Sequence, residues 1–237
     1  MLLAVDCSTQ TMGLALFDGT QVVGEMIWQT HNHHTVELAP ALESLFQRCN
    51  VSMSALQALG VSLGPGSFTS LRIGLALVKG FALALKLPVV GIPTLDFLAV
   101  AQPVQEYPLA AILQAGRGRL AVGWSAAVNG VWASQGEAKV YTLEELSRQI
   151  QKPTLVCGEL TATERQVLGR KRKNVILASP AQSLRRPSFL AEMAWQRWRH
   201  RQPRTIRPNC VVIYRKSVDA RNHGEYHPHG NQAQNCC

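Results

Sequence analysis

The stretch 60–99, GVSLGPGSFTSLRIGLALVKGFALALKLPVVGIPTLDFLA, limits what this chain can fold into more than any other. A short apolar run at 60–63 gives way to the turn Gly64-Pro65-Gly66-Ser67-Phe68-Thr69. A helical pattern follows over 70–87, and a second apolar run covers 88–92. This reads as strand, tight turn, helix, strand. Gly64 and Gly66 free the backbone at the turn. Ser67 or Thr69 can cap the helix by accepting an N–H from its first turn.

The helix of this unit is apolar on nearly every side. Leu71, Leu75, Val78, Ala82 and Leu85 form one continuous seam, and Ile73, Leu77 and Phe81 lie off it. Such a helix is buried, either in a core or against a partner. The small residues Gly74, Ala76, Gly80 and Ala84 let another backbone come close, and Arg72, Lys79 and Lys86 fall on one narrow stripe. Pattern alone leaves two readings open: a core helix with one wet edge, or a helix that meets another chain.

The run GPGSFTSLRIGLALVKGFALALKLPVVGIPTLDFLA resembles the signature of the bacterial TsaB (YeaZ) family, whose usual pattern is GPGSFTGLRIG. Ser70 stands where that pattern has its second glycine. A motif of this length is far more specific than a lone GxGxxG. It covers about a sixth of the chain directly. The family's members are partners in making N6-threonylcarbamoyladenosine beside the anticodon of tRNA.

The chain has 237 residues, 46% of them hydrophobic and 16% charged, a soluble globular composition with material for a proper core. No apolar run is expected to reach the length of a membrane span. The run 2–5 is broken by Asp6 and lacks a basic flank, so it does not read as a signal peptide, and the cytoplasm is the expected compartment. The cysteines 7, 49, 157, 210, 236 and 237 form no CxxC pair and read as reduced thiols. The net charge of +9 is segregated: 165–217 holds fourteen Lys and Arg against the single acid Glu192. Such a block can attract nucleic-acid phosphate. A run such as Arg170-Lys171-Arg172-Lys173 with no stacking aromatics is more simply a solvated face.

In chain order, strands are expected at 2–5, 11–17 and 21–28, with Asp18-Gly19 as a hairpin turn. Between the first two, Asp6, Ser8 and Thr9 resemble the first phosphate loop of the actin, hexokinase and heat-shock chaperone superfamily. There, hydroxyls and N–H groups hold phosphate and the Asp helps to place Mg²⁺. A strand-end turn with a satisfied Asp explains the same residues. His31, His33 and His34 precede a helix over 36–49 with a stripe of Leu38, Leu42, Leu45 and Cys49. They lack HxxxH spacing and a carboxylate, so no metal site is expected. A helical link is expected at 52–59 and a short helix at 95–101.

In the second half, strands are expected at 109–114 and 120–127, with Asn129-Gly130 turning the chain into one returning strand over 131–141. Thr142-x-x-Glu145 and Thr161-x-x-Glu164 are capping boxes opening helices over 143–150 and up to 168. Strands are expected at 154–157 and 174–178, a helix capped by Ser188 up to about 201, and a last strand at 210–214. Gln114 stands where the family usually has an acid. Tyr214-Arg215 approximates a Tyr-x-Arg near the family's end. The tail 217–237, with His223, His227, His229, Cys236 and Cys237, reads as disordered.

The resemblance implies a two-lobed, actin-like α/β fold with duplicated mixed sheets flanked by helices. The expected lobes are 1–102 and 103–186, with 187–216 packing back on the first. It further implies a non-catalytic subunit with no cofactor of its own. A TsaD-like catalytic paralogue would be its partner, with a TsaE-like ATPase beside it. ATP and metal would be held by those subunits, tRNA would be met through the assembled complex, and the free chain would form a homodimer. The expected partner surface is His34, Leu38, Leu42, Leu45, Leu71, Gly74, Leu75 and Val78, two helices from each subunit. Three rivals stand beside it: a small actin-like ATPase or sugar kinase using Asp6, Ser8 and Thr9, a peptidase, and a direct tRNA-binding module resting on the basic last quarter. For the peptidase, no nucleophile and base stand at motif spacing.

Overall fold

The structure is a computed structural model and describes residues 1–30, 33–200 and the strand 211–213. The expectations placed on His31, Cys210, Tyr214, Arg215, the tail and its His223, His227, His229, Cys236 and Cys237 lie outside the described residues.

Two sheets carry the fold, and they repeat one plan. In the first, β1 (Leu2–Asp6), β2 (Thr11–Phe17) and β3 (Val22–Gln29) form an antiparallel meander. Parallel strands β4 (Ala58–Ser62), β5 (Val89–Ile92) and β12 (Val211–Ile213) extend the sheet on the other side of β1. In the second, β6 (Leu109–Gln114), β7 (Arg119–Val128) and β8 (Val131–Ser134) form the meander. The parallel strands β10 (Thr154–Gly158) and β11 (Val175–Leu177) follow on the other side of β6. The orders β5-β4-β1-β2-β3 and β11-β10-β6-β7-β8 are the same. This is the two-lobed actin-like architecture with duplicated mixed sheets.

The helices occupy matching places. In the first half α1 (His34–Arg48) and α2 (Phe68–Leu85) cover one face of the sheet. In the second, α4 (Leu143–Gln149) and α5 (Ala162–Gly169) do the same. Two further helices cross over: α3 (Thr94–Val100) follows the first set of strands yet sends Leu95, Leu98 and Ala99 under the second sheet. Conversely, α6 (Pro187–Arg199) follows the second set and packs Leu190, Ala191 and Ala194 under the first. Strand alternation drives this layering. Leu3 and Val5 of β1 face α1 and α2, while Leu2 and Ala4 face α6.

Several local expectations are met. Ser67 caps α2, both capping boxes close, and Asn129 and Gly130 adopt positive φ in a tight hairpin. Others are corrected. Ala58 and Leu59 are strand, not link, and the link is a single 3-10 turn, Met53–Ala55. The expected single strand over 131–141 is two, β8 and β9 (Lys139–Thr142), which pair in succession along β7. Ser188 does not cap α6: Pro187 already lies inside the helix, and the Ser188 N–H donates to Glu25 Oε1 at 2.9 Å. Contrary to expectation, α2 is long and apolar enough to cross a membrane by length and composition. It is nevertheless the crossover helix between parallel strands β4 and β5, laid along the sheet on Ser70, Gly74, Val78 and Ala82.

That burial divides the residues expected at a partner surface. Leu38, Leu42, Leu45 and Val78 are buried in the first core, so they offer nothing to another chain. Gly74 faces inward too: a Cβ added there would lie 3.0 Å from the Cys7 Cβ and 3.1 Å from its Sγ. His34 is buried, and Leu71 and Leu75 are half-buried at the edge of the helix. For Leu38, Leu42, Leu45, Gly74 and Val78 the seam is taken by the chain's own sheet, because an apolar stripe does not say which neighbour covers it.

Two predictions follow from this packing. Gly74→Leu is expected to overpack the contact between α2 and β1 and lower stability by about 1–3 kcal/mol in urea unfolding. At the start of α6, burial works to raise the Glu25 carboxyl, but hydrogen bonds from Arg186 and Ser188 outweigh it and hold it below the ordinary carboxylate range. A carboxyl lowered by folding stabilises above its unfolded value and loses that contribution as pH falls through its folded value. Glu25→Gln should therefore flatten the acid limb of a stability-versus-pH curve; an unchanged limb would contradict this.

Candidate functional site

The polar residues of the fold converge where β1 ends, in the cleft between the sheets. Asp6 is the last residue of β1, a central strand, and is 2% exposed. Its Oδ1 accepts from the Ser8 N–H at 2.9 Å and from the Ser8 hydroxyl. Because the single Ser8 proton goes to that carboxylate, the Thr94 hydroxyl, 2.9 Å away, donates to Ser8 Oγ. Thr94 Oγ1 in turn accepts from the Gly64 N–H at 3.1 Å. The turn after β1, the glycine-rich loop and the start of α3 are thus tied by one hydroxyl pair.

The loop 64–67 rests directly on that turn. The Ser67 N–H donates to the Ser8 carbonyl at 2.6 Å, and a Cβ on Gly66 would lie 2.2 Å from that same oxygen. Gly66 is required by this approach of backbone to backbone. Ser67 then opens α2, and Phe68 stands out into solvent with the Arg72 guanidinium 3.6 Å from its ring centroid. On the other side of the turn, His34 Nε2–H donates to the Thr9 carbonyl at 3.0 Å. His34 is therefore a strut for the Asp6–Thr9 turn. Neither His34 nor His33 belongs to a metal-ligand group: among the described residues no three His, Cys, Asp or Glu side chains converge.

Across the cleft stand two residues that no motif marked. Glu159 follows β10, and its Oε1 accepts from the Thr9 hydroxyl at 2.6 Å. Arg185 lies just before α6 and is buried. Its Nε donates to Asp6 Oδ2 at 2.9 Å, and its Nη2 donates to Thr9 Oγ1 at 2.8 Å and to the Thr11 carbonyl at 2.9 Å. Its Nη1 donates to Glu159 Oε1. Burial works against the charge of Arg185, but Asp6 and Glu159 outweigh it and hold the guanidinium above its ordinary value. Gln114 joins the rim, donating to the Glu159 carbonyl at 3.1 Å and to Glu164 Oε2 at 2.8 Å. It serves as a hydrogen-bond donor where an acid would repel both.

This arrangement decides what the residues can do. Asp6 has both oxygens engaged within the chain, and a guanidinium occupies the place beside it where a metal ion would have to sit. The set does not fit a bound Mg²⁺. Ser8 is fully buried, and Cys7 is buried with its thiol pushed up by burial and then by the Asp6 charge. Burial also pushes the Cys157 thiol up to about 12. The basic block is partly consumed by structure: Arg185 and Arg186 pair with acids, Arg165 donates to the Ala178 carbonyl, and Lys171 donates to the Ser147 carbonyl. Arg170, Arg172 and Lys173 are exposed.

The second notable surface is the outer face of α2. Phe68 and Leu83 are 67% and 60% exposed, with Arg72, Ala76, Lys79 and Gly80 exposed around them. A Cβ on Gly80 would meet nothing within 4 Å. The sequence marks Arg72, Ala76, Lys79 and Gly80 as small or charged interruptions of the helix, yet with Phe68 and Leu83 they form the face that the sheet leaves open.

Comparison with known proteins places this geometry. The family model described as TsaD, tRNA N6-adenosine threonylcarbamoyltransferase, matches residues 28–138. The chain is 31% identical over 197 residues to the tRNA threonylcarbamoyladenosine biosynthesis protein TsaB of Bacillus subtilis, covering 80% of this chain and 85% of that protein. It is 34% identical over 99 residues to the Escherichia coli protein of the same name, covering 41% of this chain and 42% of that one. Among solved structures, YeaZ from Pseudomonas aeruginosa superposes with a TM-score of 0.66 at 25% identity, over 83% of this chain and 92% of that one.

The site yields one stability prediction. Thr94→Val keeps the shape but leaves the Gly64 N–H without its acceptor, and should cost about 1–3 kcal/mol in urea unfolding. A loss within experimental error would show that Thr94 does not hold the loop.

Proposed function

The chain belongs to the TsaB (YeaZ) family, and we propose that within tRNA threonylcarbamoyladenosine biosynthesis it serves as a non-catalytic subunit that binds and steadies a TsaD-like partner. The observation that carries this reading is the uncovered outer face of α2. Phe68, Ala76, Gly80 and Leu83 form an apolar, small-residue floor on a helix whose inner face is already in the core. An exposed patch of this kind marks an interaction surface. The closed polar cleft supports the non-catalytic part, since its carboxylates and hydroxyls are satisfied by one another and by Arg185.

In this reading the chain needs no cofactor of its own, ATP and metal belong to the TsaD-like and TsaE-like subunits, and tRNA is met through the complex in the cytoplasm. The free chain pairs with itself through the same face. The partner surface is thereby moved from the inward seam to Phe68, Arg72, Ala76, Lys79, Gly80 and Leu83, with Leu71 and Leu75 at its margin.

The test is Leu83→Glu. Its side chain is 60% exposed, so the substitution leaves the core intact and circular dichroism should match the parent. A charge buried in an interface without a partner is strongly unfavourable. Sedimentation should show loss of self-association and at least tenfold weaker capture of a TsaD-like protein. Unchanged affinity for both would remove α2 from the interface.

A further inference from the structure

We propose that Arg185 is an internal latch, one guanidinium that ties Asp6 of the first sheet to Glu159 of the second and holds the cleft between them shut. The segment carrying it leaves β11, crosses from the second sheet to the first, and enters α6. Arg185 is therefore placed by the chain at the crossing point itself. Its neighbour Arg186 pins the same segment to Glu25 of β3, 2.6 Å away.

The two ends of the latch differ. At the Asp6 end the side chains are 1% and 2% exposed, and the Nε bond is accompanied by Nη2 bonds to Thr9 and to the Thr11 carbonyl. At the other end the Glu159 side chain is 24% exposed. A buried charge pair cannot lose one member without stranding the other. A pair that touches water is screened and released more readily. Opening thus proceeds at Glu159, with the arginine staying on the first sheet.

The guanidinium is suited to this place. It stays charged, and its planar fork presents donors in several directions at once. Asp6 and Glu159 both converge on this one guanidinium, and without a cation between them they would repel. Arg185 turns that repulsion into attraction. The Thr9 hydroxyl completes the ring by accepting from Arg185 and donating to Glu159. The latch also explains why Glu159 and Thr9, 150 residues apart, meet at 2.6 Å.

Hydrogen exchange on the full chain, followed by mass spectrometry, tests the latch. Glu159→Ala removes the partly exposed end and leaves the buried pair whole, so the protein should stay folded. Exchange at 6–11 and at 178–186 should rise at least tenfold, while α1 and α5 keep their rates. Glu159→Gln, which keeps the shape without the charge, should fall between Glu159→Ala and the parent. Arg185→Met should raise exchange over the same segments by more than Glu159→Ala does, because Asp6 and Glu159 are left facing each other, and adding Glu159→Ala to it should lower exchange again by removing that repulsion. The latch is overturned if Glu159→Ala changes exchange only within its own turn, 158–160, with 6–11 within twofold of the parent. If Arg185→Met does not fold, the Glu159 pair of variants decides alone.

Discussion

A charge without water must have a partner, and the Asp6–Arg185 pair is where this fold meets that requirement. Asp6 ends a central strand of the first sheet, and its partner comes from 179 residues away. Everything around the cleft is arranged by satisfying this carboxylate. Its other oxygen shapes the Ser8 turn, whose carbonyl supports the loop 64–67, whose Ser67 opens α2. The Ser8 hydroxyl passes the constraint to Thr94 and so to the start of α3. Helix positions that look independent along the chain are set from one buried acid.

The duplicated plan makes the differences between the halves informative. The helices at matching positions after β4 and β10 are α2, of 18 residues, and α5, of 8. The short helix buries Leu168 against its sheet, and its capping box and charged residues suit solvent. The long helix buries one stripe and leaves an apolar face open. Ile73, Leu75, Leu77 and Phe81 also pack against the first core, so the core accounts for much of the apolarity of α2, but not for exposed Phe68 and Leu83. Under the proposed function, a partner would account for that open face. The central helices α3 and α6 are exchanged between the halves, which binds the two sheets into one body and gives Arg185 a route across.

What could be read from the sequence was whatever is encoded within a few residues. The capping boxes at Thr142 and Thr161, the Asn129-Gly130 hairpin and most strands are local signals of this kind, as is the long glycine-rich motif. The satisfied strand-end Asp was legible as an alternative to a phosphate loop, but its satisfier was not. Arg185 has no spacing relative to Asp6 and was one basic residue among fourteen. The inward Gly74 and Leu42 were misread for a related reason: hydrophobic periodicity finds a seam without saying which neighbour fills it. In α1 and α2 the neighbour is the chain's own sheet. The break at 135–138 was hidden because β8 and β9 continue along the same edge of β7.

The face of α2 that remains open also says something about what covers it under the proposed partner reading. Its apolar floor at Ala76, Gly80 and Leu83 is flanked by Arg72 and Lys79, and Arg72 already stacks on Phe68. The small residues at the centre admit a helix at close range, as large side chains there would not. The two cations stand where a docked helix would place its margins, and no acid lies on α2 itself. A second copy of α2 brings like charges to that contact, whereas an apolar helix with acidic edges brings opposite ones. Charge complementarity governs choice of partner more than gross affinity. Under that reading the same surface would serve self-association as a weak default and yield to a partner of the complementary charge.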